Sequence, residues 1–311
     1  MIIKHQEKIA SPEIIQKAYE DLGYICSNAV ATAIYLACQL QKPILIEGPP
    51  GVGKTELAKV TAAYLNAPLI RMQCYEGLDE SKALYEWKYG KQLLYTQVLK
   101  EQLGDVLKGA RGLDESVARL HDFGDIFYSQ EFLEPRPLLQ ALQSEDGAVL
   151  LVDEIDKADQ EFEAFLLELL SDYQVSIPEI GTVKAKSTPI VMLTSNNTRE
   201  LGDALKRRCL HLYIPFPDAK LESRILATQV QGLDELLREQ IVAMIGKLRD
   251  MPLKKSPAVS ETIDWARALL LLNVEELDPV WVKDTLNLLL KFQDDIELVE
   301  PEINALLKGL S

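Results

Sequence analysis

The chain has 311 residues and a formal net charge of −15, from 33 lysines and arginines against 48 aspartates and glutamates. That length suggests about two domains, 47 % hydrophobic residues suffice for buried cores, and the acidic balance disfavours nucleic acid and anionic lipid as default partners. Cys26, Cys38, Cys74 and Cys209 lack the pairing of a zinc site or a disulfide scaffold and read as reduced, mostly buried thiols; with only His5, His121 and His211 to help, a side-chain metal cluster is disfavoured.

In chain order, Ser11-Pro12 starts a helix with Ile15, Ala18, Tyr19 and Leu22 on one face, and Val30, Ala33, Ile34 and Ala37 mark a second. Both precede the first sheet strand, where they either wall a nucleotide base or simply pack. The second, Ala29 to Leu40, is the longest apolar helix candidate and is too short to span a bilayer. With no signal-peptide pattern before it, the expected location is the cytoplasm. Pro43 to Ile46 is a short apolar strand, followed by Gly48-Pro49-Pro50-Gly51-Val52-Gly53-Lys54-Thr55 and a helix from Glu56 to Leu65. Glycines at this spacing let backbone amides turn around phosphate oxygens, and the helix presents its unpaired amides and positive dipole end to them. Lys54 is placed for the β- and γ-phosphates and the Thr55 hydroxyl for Mg²⁺, so residues 48 to 55 with Glu56 form the expected nucleotide contact set. A glycine-rich turn without function would have little use for a lysine followed by threonine.

Leu69 to Cys74 reads as the next strand. Beyond Gly77 a helical stretch to Asp105 and a polar, glycine-punctuated region to Glu134 form an insertion larger than a bare nucleotide fold needs. Its aromatics Tyr85, Trp87, Tyr89 and Tyr95 either pack the insert or face a partner. Ala148 to Val152 is a buried parallel strand ending in Asp153-Glu154. Asp153 is placed to hold the Mg²⁺ shell and Glu154 to deprotonate a water attacking the γ-phosphorus; the bland alternative is a helix cap. A periodic helix follows Asp159, carrying Phe162, Phe165, Leu166 and Leu169. Tyr173 to Ile177 and Thr182 to Lys186 then form a hairpin around Pro178 to Gly181. Pro189 to Leu193 is a further strand, and Asn196 beyond its end lands beside the γ-phosphate if that strand neighbours the one ending in Asp153. Ala204 to Cys209 sets Lys206, Arg207 and Arg208 before the strand Leu210 to Ile214: a solvated basic turn alone, but a transition-state arginine if a second subunit abuts it. Pro215-Phe216-Pro217 ends the sheet domain, so the expected domains are 1–216, with a parallel sheet flanked by helices, and 217–311, a small helical lid. In the lid Leu237, Ile241, Met244, Ile245 and Leu248 form one face. Ile263, Ala266, Leu269 and Leu270 form another, and Asp278-Pro279 caps a helix with Val282, Leu286 and Leu289.

With the phosphate loop, the acidic strand end, Asn196, Arg208 and the helical lid in this order, the chain resembles the AAA+ ATPases. The insert after Gly77, the stretch Asp153-Glu154-Ile155-Asp156-Lys157 and the hairpin before Asn196 resemble the MoxR family more narrowly. Phe162 to Gly181 and Thr194 to Cys209 are similar to a MoxR branch that serves maturation of carbon monoxide dehydrogenase and related molybdenum hydroxylases. The resemblance implies ATP and Mg²⁺ as cofactors, a hexameric ring, a partner with a von Willebrand factor A domain and a metalloenzyme client. It makes Arg208 the arginine finger, with Arg207 as the neighbouring candidate. The lid departs from the family: its sensor 2 arginine is expected near Thr262, which is not basic, leaving Arg267 as the substitute. A nucleic-acid motor or clamp-loader subunit would use the same core, but the acidic balance and the lack of a recognisable helix-turn-helix argue against it. A nucleotide-gated scaffold with little hydrolysis is the third reading.

Overall fold

The structure is a computed structural model that describes residues 9–106, 129–178 and 180–309. His5, His121 and most of the polar stretch expected before Glu134 lie outside the described residues. Two helices come first, α1 (Pro12–Asp21) and α2 (Asn28–Leu40). The side chains of Ser11 and Ser27 accept the amides of Ile14 and Val30, satisfying donors that a helix start leaves free. The expected faces pack inward through Ile15, Tyr19, Val30, Ile34 and Ala37, while Leu22, at the C-terminal cap of α1, is exposed.

The chain then runs through β1 (Ile44–Glu47), α3 (Lys54–Leu65) and β2 (Leu69–Gln73) into the insert. The insert holds α4 (Glu80–Ala83), β3 (Tyr85–Trp87), α5 (Tyr89–Val106) and β4 (Leu133–Pro135), and β3 pairs antiparallel with β4. Trp87 is buried and meets Tyr85 edge-on at 5.8 Å, and Tyr95 meets Phe132 at 5.2 Å; Tyr89 points outward, 66 % exposed. Next come α6 (Pro137–Gln143), β5 (Val149–Asp153) and α7 (Gln160–Asp172), whose first turn is capped by the Asp159 carboxylate on the Phe162 amide. The hairpin β6 (Gln174–Ile177) and β7 (Gly181–Lys184), then β8 (Ile190–Ser195), α8 (Asp203–Arg208) and β9 (Leu210–Tyr213) complete this part.

The five long-range strands form one parallel sheet in the order β2-β5-β8-β1-β9. All five residues of β5 and all six of β8 are buried, because helices cover both faces of these central strands. Leu45, Leu150, Val152, Val191 and Leu193 pack on one side with α6, α7 and the insert. Ile44, Ile46, Val149, Leu151 and Met192 pack on the other with α1, α2 and α3. All four cysteines are free. Burial pushes the Cys26 thiol up to about 11 and the Cys38, Cys74 and Cys209 thiols up to about 12, so they stay protonated.

Every α-helix or strand described from 219 onward is a helix: α9 (Ala219–Gln229), α10 (Glu235–Arg249), α11 (Val259–Leu271), α12 (Pro279–Leu289), α13 (Gln293–Val299) and α14 (Ile303–Leu307). They enclose their own core, with Leu237, Ile241, Met244, Ile245, Leu248, Trp265, Ala266, Leu269, Val282, Leu286 and Leu289 buried. The Trp265 indole donates to the Thr285 hydroxyl at 2.8 Å, so the largest side chain in this core is also polar-satisfied. Arg249 and Glu222 form a buried two-pronged ion pair at 2.6 and 2.8 Å. The same guanidinium donates to the Pro257 carbonyl and stacks over Phe216, and the Thr262 hydroxyl donates to Glu222. This knot fixes where α11 begins. No helix among the described residues is long and apolar enough to cross a membrane.

Candidate nucleotide site

The candidate site lies at the carboxyl ends of β1, β5 and β8, where a parallel sheet gathers loops from several strands at one edge. Gly48 leaves β1 at φ +151°, and a Cβ there would stand 2.1 Å from the Ile214 carbonyl oxygen, so the loop passes too close to the end of β9 for any side chain. The loop ends in α3, whose first residue is Lys54. The Lys54 ammonium donates to the carbonyls of Gly48 at 2.6 Å and Pro49 at 2.8 Å and to Asn196 Oδ1 at 2.7 Å. Asn196 Nδ2 in turn donates to Glu154 Oε1 at 3.2 Å. Because β8 sits between β5 and β1, the strand before Asn196 neighbours the one ending in Asp153, and Asn196 bridges the lysine and the glutamate.

Asp153 ends β5 and is nearly buried. Its carboxylate accepts from Thr55 Oγ1 at 3.2 and 3.3 Å and from Thr194 Oγ1. Glu154 follows in the left-handed region, with φ 56° and ψ 52°, which is uncommon for a residue with a Cβ and costs energy that a local hold offsets. Thr194 supplies that hold, its Oγ1 accepting the Glu154 amide at 2.9 Å. The turn swings the Glu154 side chain out of the sheet toward Asn196. Asp156 ties the two strand ends together by accepting both the amide and the hydroxyl of Thr198, at 3.0 and 2.6 Å.

These groups line a cavity of about 350 Å³ with Pro50, Gly51, Gly53, Lys54, Thr55, Glu56, Arg71, Gln73, Asp153, Glu154, Thr194, Asn196 and Ser260 on its walls. A second cavity of about 340 Å³ shares Gly51, Gly53, Glu56 and Ser260 and adds Val52, the turn Gly23-Tyr24-Ile25 and the lid residues Ile225, Gln229, Val259, Ile263, Asp264 and Arg267. The turn between α1 and α2 walls this space, while the helices themselves pack.

Arg267 lines the second cavity, half exposed beside Asp264, and is not among the residues around Lys54 and Asp153. Thr262 is fully buried in the Glu222 knot. The lid residues that meet the loop are Ala258 and Ser260: a Cβ on Gly51 would lie 2.5 Å from the Ala258 Cβ and 2.7 Å from the Ser260 Oγ, and the Ser260 amide donates to the Gly51 carbonyl at 3.3 Å. Neither is basic. Arg207 and Arg208 end α8, exposed, and make no hydrogen bond or ion pair among the described residues; neither lines the cavity.

Arg71 and Gln73 belong to the cavity as well, and sequence reasoning passed over both. They share one face of β2, and Gln73 stands in register with Asp153. Arg71 donates to Asp153 Oδ2 from Nε at 3.1 Å and from a terminal nitrogen at 2.6 Å, and to Gln73 Oε1 at 2.9 Å; Gln73 Nε2 donates to Glu154 Oε2 at 2.9 Å. Two polar side chains at alternating positions among Leu69, Ile70, Met72 and Cys74 were the signal available in the sequence.

Burial lowers the Lys54 ammonium from its ordinary value to about 8, against the partial support of Asp156, Asp153 and Glu154. Triphosphate oxygens near the ammonium would favour its charged form, so nucleotide binding should draw in a proton wherever the free protein has released it. Affinity is therefore expected to fall as pH rises above about 8. Calorimetry at pH near 9 in buffers of different ionisation enthalpy should read uptake approaching about one proton per site. Lys54→Ala is expected to fold and to lose nucleotide binding. Retained affinity, or binding without proton uptake, would contradict this placement of the lysine.

Comparison with known proteins gives the family. Residues 43–209 match the family model described as AAA domain (dynein-related subfamily). A protein of Staphylococcus haemolyticus is 27 % identical over 238 residues, covering 74 % of this chain and 76 % of the relative. YojN of Bacillus subtilis is 26 % identical over 255 residues, covering 79 % and 72 %. Among solved structures, the Thermotoga maritima RuvB Holliday junction branch migration motor is similar at TM-score 0.47 and 16 % identity, over 95 % of this chain and 81 % of that one. The match spans the phosphate loop, the Asp153-Glu154 strand end, Asn196 and α8 in one stretch, and the chain belongs to the AAA domain family, dynein-related subfamily.

Proposed function

We propose that this member of the AAA family hydrolyses ATP with Mg²⁺ in a ring of identical subunits, as a MoxR-type remodelling ATPase acting on a metalloenzyme client with a von Willebrand factor A-domain partner. The observation that carries the hydrolytic part is the convergence of Lys54, Thr55, Asp153, Glu154 and Asn196 on one cavity. Thr55 and Asp153 would hold the Mg²⁺, since a hydroxyl and a carboxylate are the hard oxygen donors that ion takes; when bound it neutralises charge on the phosphates. Residues 48 to 56 cradle the phosphates. Lys54 gives up carbonyl partners for them, Glu154 takes the proton from the attacking water, and Asn196 orients both. Arg267 and the turn at Tyr24 border the nucleoside end. Residues 1–216 carry the chemistry and 217–311 act as the lid.

Glu154→Gln is expected to lower turnover at saturating ATP by about 10²- to 10⁴-fold with affinity little changed. Equal turnover in the two proteins would favour a gated scaffold instead. A protein client is supported by α5, which exposes Tyr89, Leu93, Leu94 and Val98 on a surface whose chain is acidic overall. Genes for a von Willebrand factor A-domain protein and a molybdenum hydroxylase are expected beside this one, and co-expression of the former should give a complex in gel filtration. A neighbourhood with neither, together with salt-dependent retention of the ATP-bound oligomer on DNA, would sink the client assignment.

A further inference from the structure

Asp153 presents a charge problem that the hydrolytic reading leaves open. Its side chain is only 5 % exposed, and a carboxylate taken from water needs a counter-charge as well as hydrogen bonds. Thr55 and Thr194 supply hydroxyls but no charge. The cation that touches it is Arg71, which places two of its nitrogens on the same oxygen, Oδ2, while the Lys54 ammonium acts on it without contact. The guanidinium stands on β2, an edge strand of the sheet, and is half exposed, so it can swing into solvent without disturbing the core. A divalent cation approaching Thr55 and Asp153 meets a resident cation on the same carboxylate. Two positive groups sharing one buried carboxylate repel, and the flexible, solvent-facing one is the one free to leave.

We propose that Arg71 is the counter-cation of Asp153 in the metal-free protein, and that guanidinium and divalent cation occupy this carboxylate alternately. The proposal rests on reading the cavity as a Mg²⁺-nucleotide site. It carries a consequence for Glu154. Arg71 also donates to Gln73, and Gln73 donates to Glu154, so departure of the guanidinium loosens the hold of β2 on the general base while Asn196 keeps its own. Arg71 is thus a positioning residue, acting through Asp153 and Gln73 rather than on the phosphate.

The test is metal affinity, which turnover does not enter. Mn²⁺ is titrated by electron paramagnetic resonance into the full chain saturated with ADP, for the unaltered protein, Arg71→Gln and Arg71→Lys. Loss of the competing charge in Arg71→Gln is expected to tighten Mn²⁺ by about tenfold or more, while Arg71→Lys, which keeps the charge, stays within about threefold of the unaltered protein. Unchanged or weaker Mn²⁺ binding in Arg71→Gln overturns the proposal, since a residue that merely orients Asp153 would lower metal affinity when removed. Should Arg71→Gln not fold, the Nε–H signal of Arg71, assigned by its loss in Arg71→Lys, decides. It is expected to move when Mg²⁺ is added to the ADP-bound protein, and a signal indifferent to saturating Mg²⁺ sinks the idea. Absence of both ADP and Mn²⁺ binding in the unaltered protein would remove the nucleotide reading and this inference together. Normal binding there with no effect of Arg71→Gln removes this inference alone.

Discussion

Arg208→Ala is expected to bind ATP as the unaltered chain does and to lose about 10³- to 10⁵-fold in turnover, equivalent to about 4 to 7 kcal/mol of transition-state stabilisation. The physical ground is where α8 leaves its last two residues. Arg208 is exposed, makes no hydrogen bond or ion pair among the described residues, and is absent from the walls of its own chain's cavity. An arginine so placed can stabilise phosphoryl charge only in a neighbouring copy. Mixing Arg208→Ala with Glu154→Gln subunits should therefore restore part of the activity, because a Glu154→Gln subunit brings an intact arginine to a cavity with an intact glutamate. Arg207→Ala is the control, with a smaller loss expected. Mixed assemblies as inactive as either parent would leave the role in trans unsupported, and brisk turnover by a strictly monomeric sample would remove it.

The second large effect is on folding. Glu222→Ala should destabilise the helical region by about 3 to 5 kcal/mol, because it strands the Arg249 guanidinium in a site only 12 % exposed and takes an acceptor from the fully buried Thr262 hydroxyl. Against a total stability of about 5 to 15 kcal/mol, that suffices to unfold the region before the sheet. Trp265, buried in the lid core and bonded to Thr285, reports it through fluorescence in a urea titration. The double change Glu222→Leu with Arg249→Met, which removes both charges, should recover most of the loss. A Glu222→Ala protein within about 1 kcal/mol of the unaltered one would show that the pair matters little. Since Arg249 also holds the Pro257 carbonyl, next to Ala258, the same substitution is expected to weaken ATP binding by displacing the start of α11 from the loop.

What the sequence disclosed and what it hid follow from how far apart the cooperating residues are. The phosphate loop, the Asp153-Glu154 strand end, α7 and the β6–β7 hairpin are local signals, each complete within one short stretch of chain, and the structure has each element there within a residue or two. The β3–β4 pair joins strands of three residues across the whole insert, too short for a period and too distant for a turn signal. Arg71 sits in a strand that reads as apolar, and its partner Asp153 becomes visible only when β2 and β5 lie side by side. The contact of the lid with the loop at Ala258 and Ser260 was not legible, because α11 starts at an alanine cap, which sends no start signal; Glu261 instead accepts the cap residue's own amide at 2.6 Å.

The meeting of Gly51 with Ala258 and Ser260 has a bearing on ionic strength. A methyl group, a hydroxyl and one backbone hydrogen bond meet Gly51 from the lid, and no ion pair joins lid to loop among the described residues. Mobile ions screen charges and leave such contacts nearly untouched. The seam between lid and loop should therefore survive in concentrated electrolyte, where an arginine-mediated lid would come adrift, and the lid would register the shape of the loop beneath it rather than its electric field.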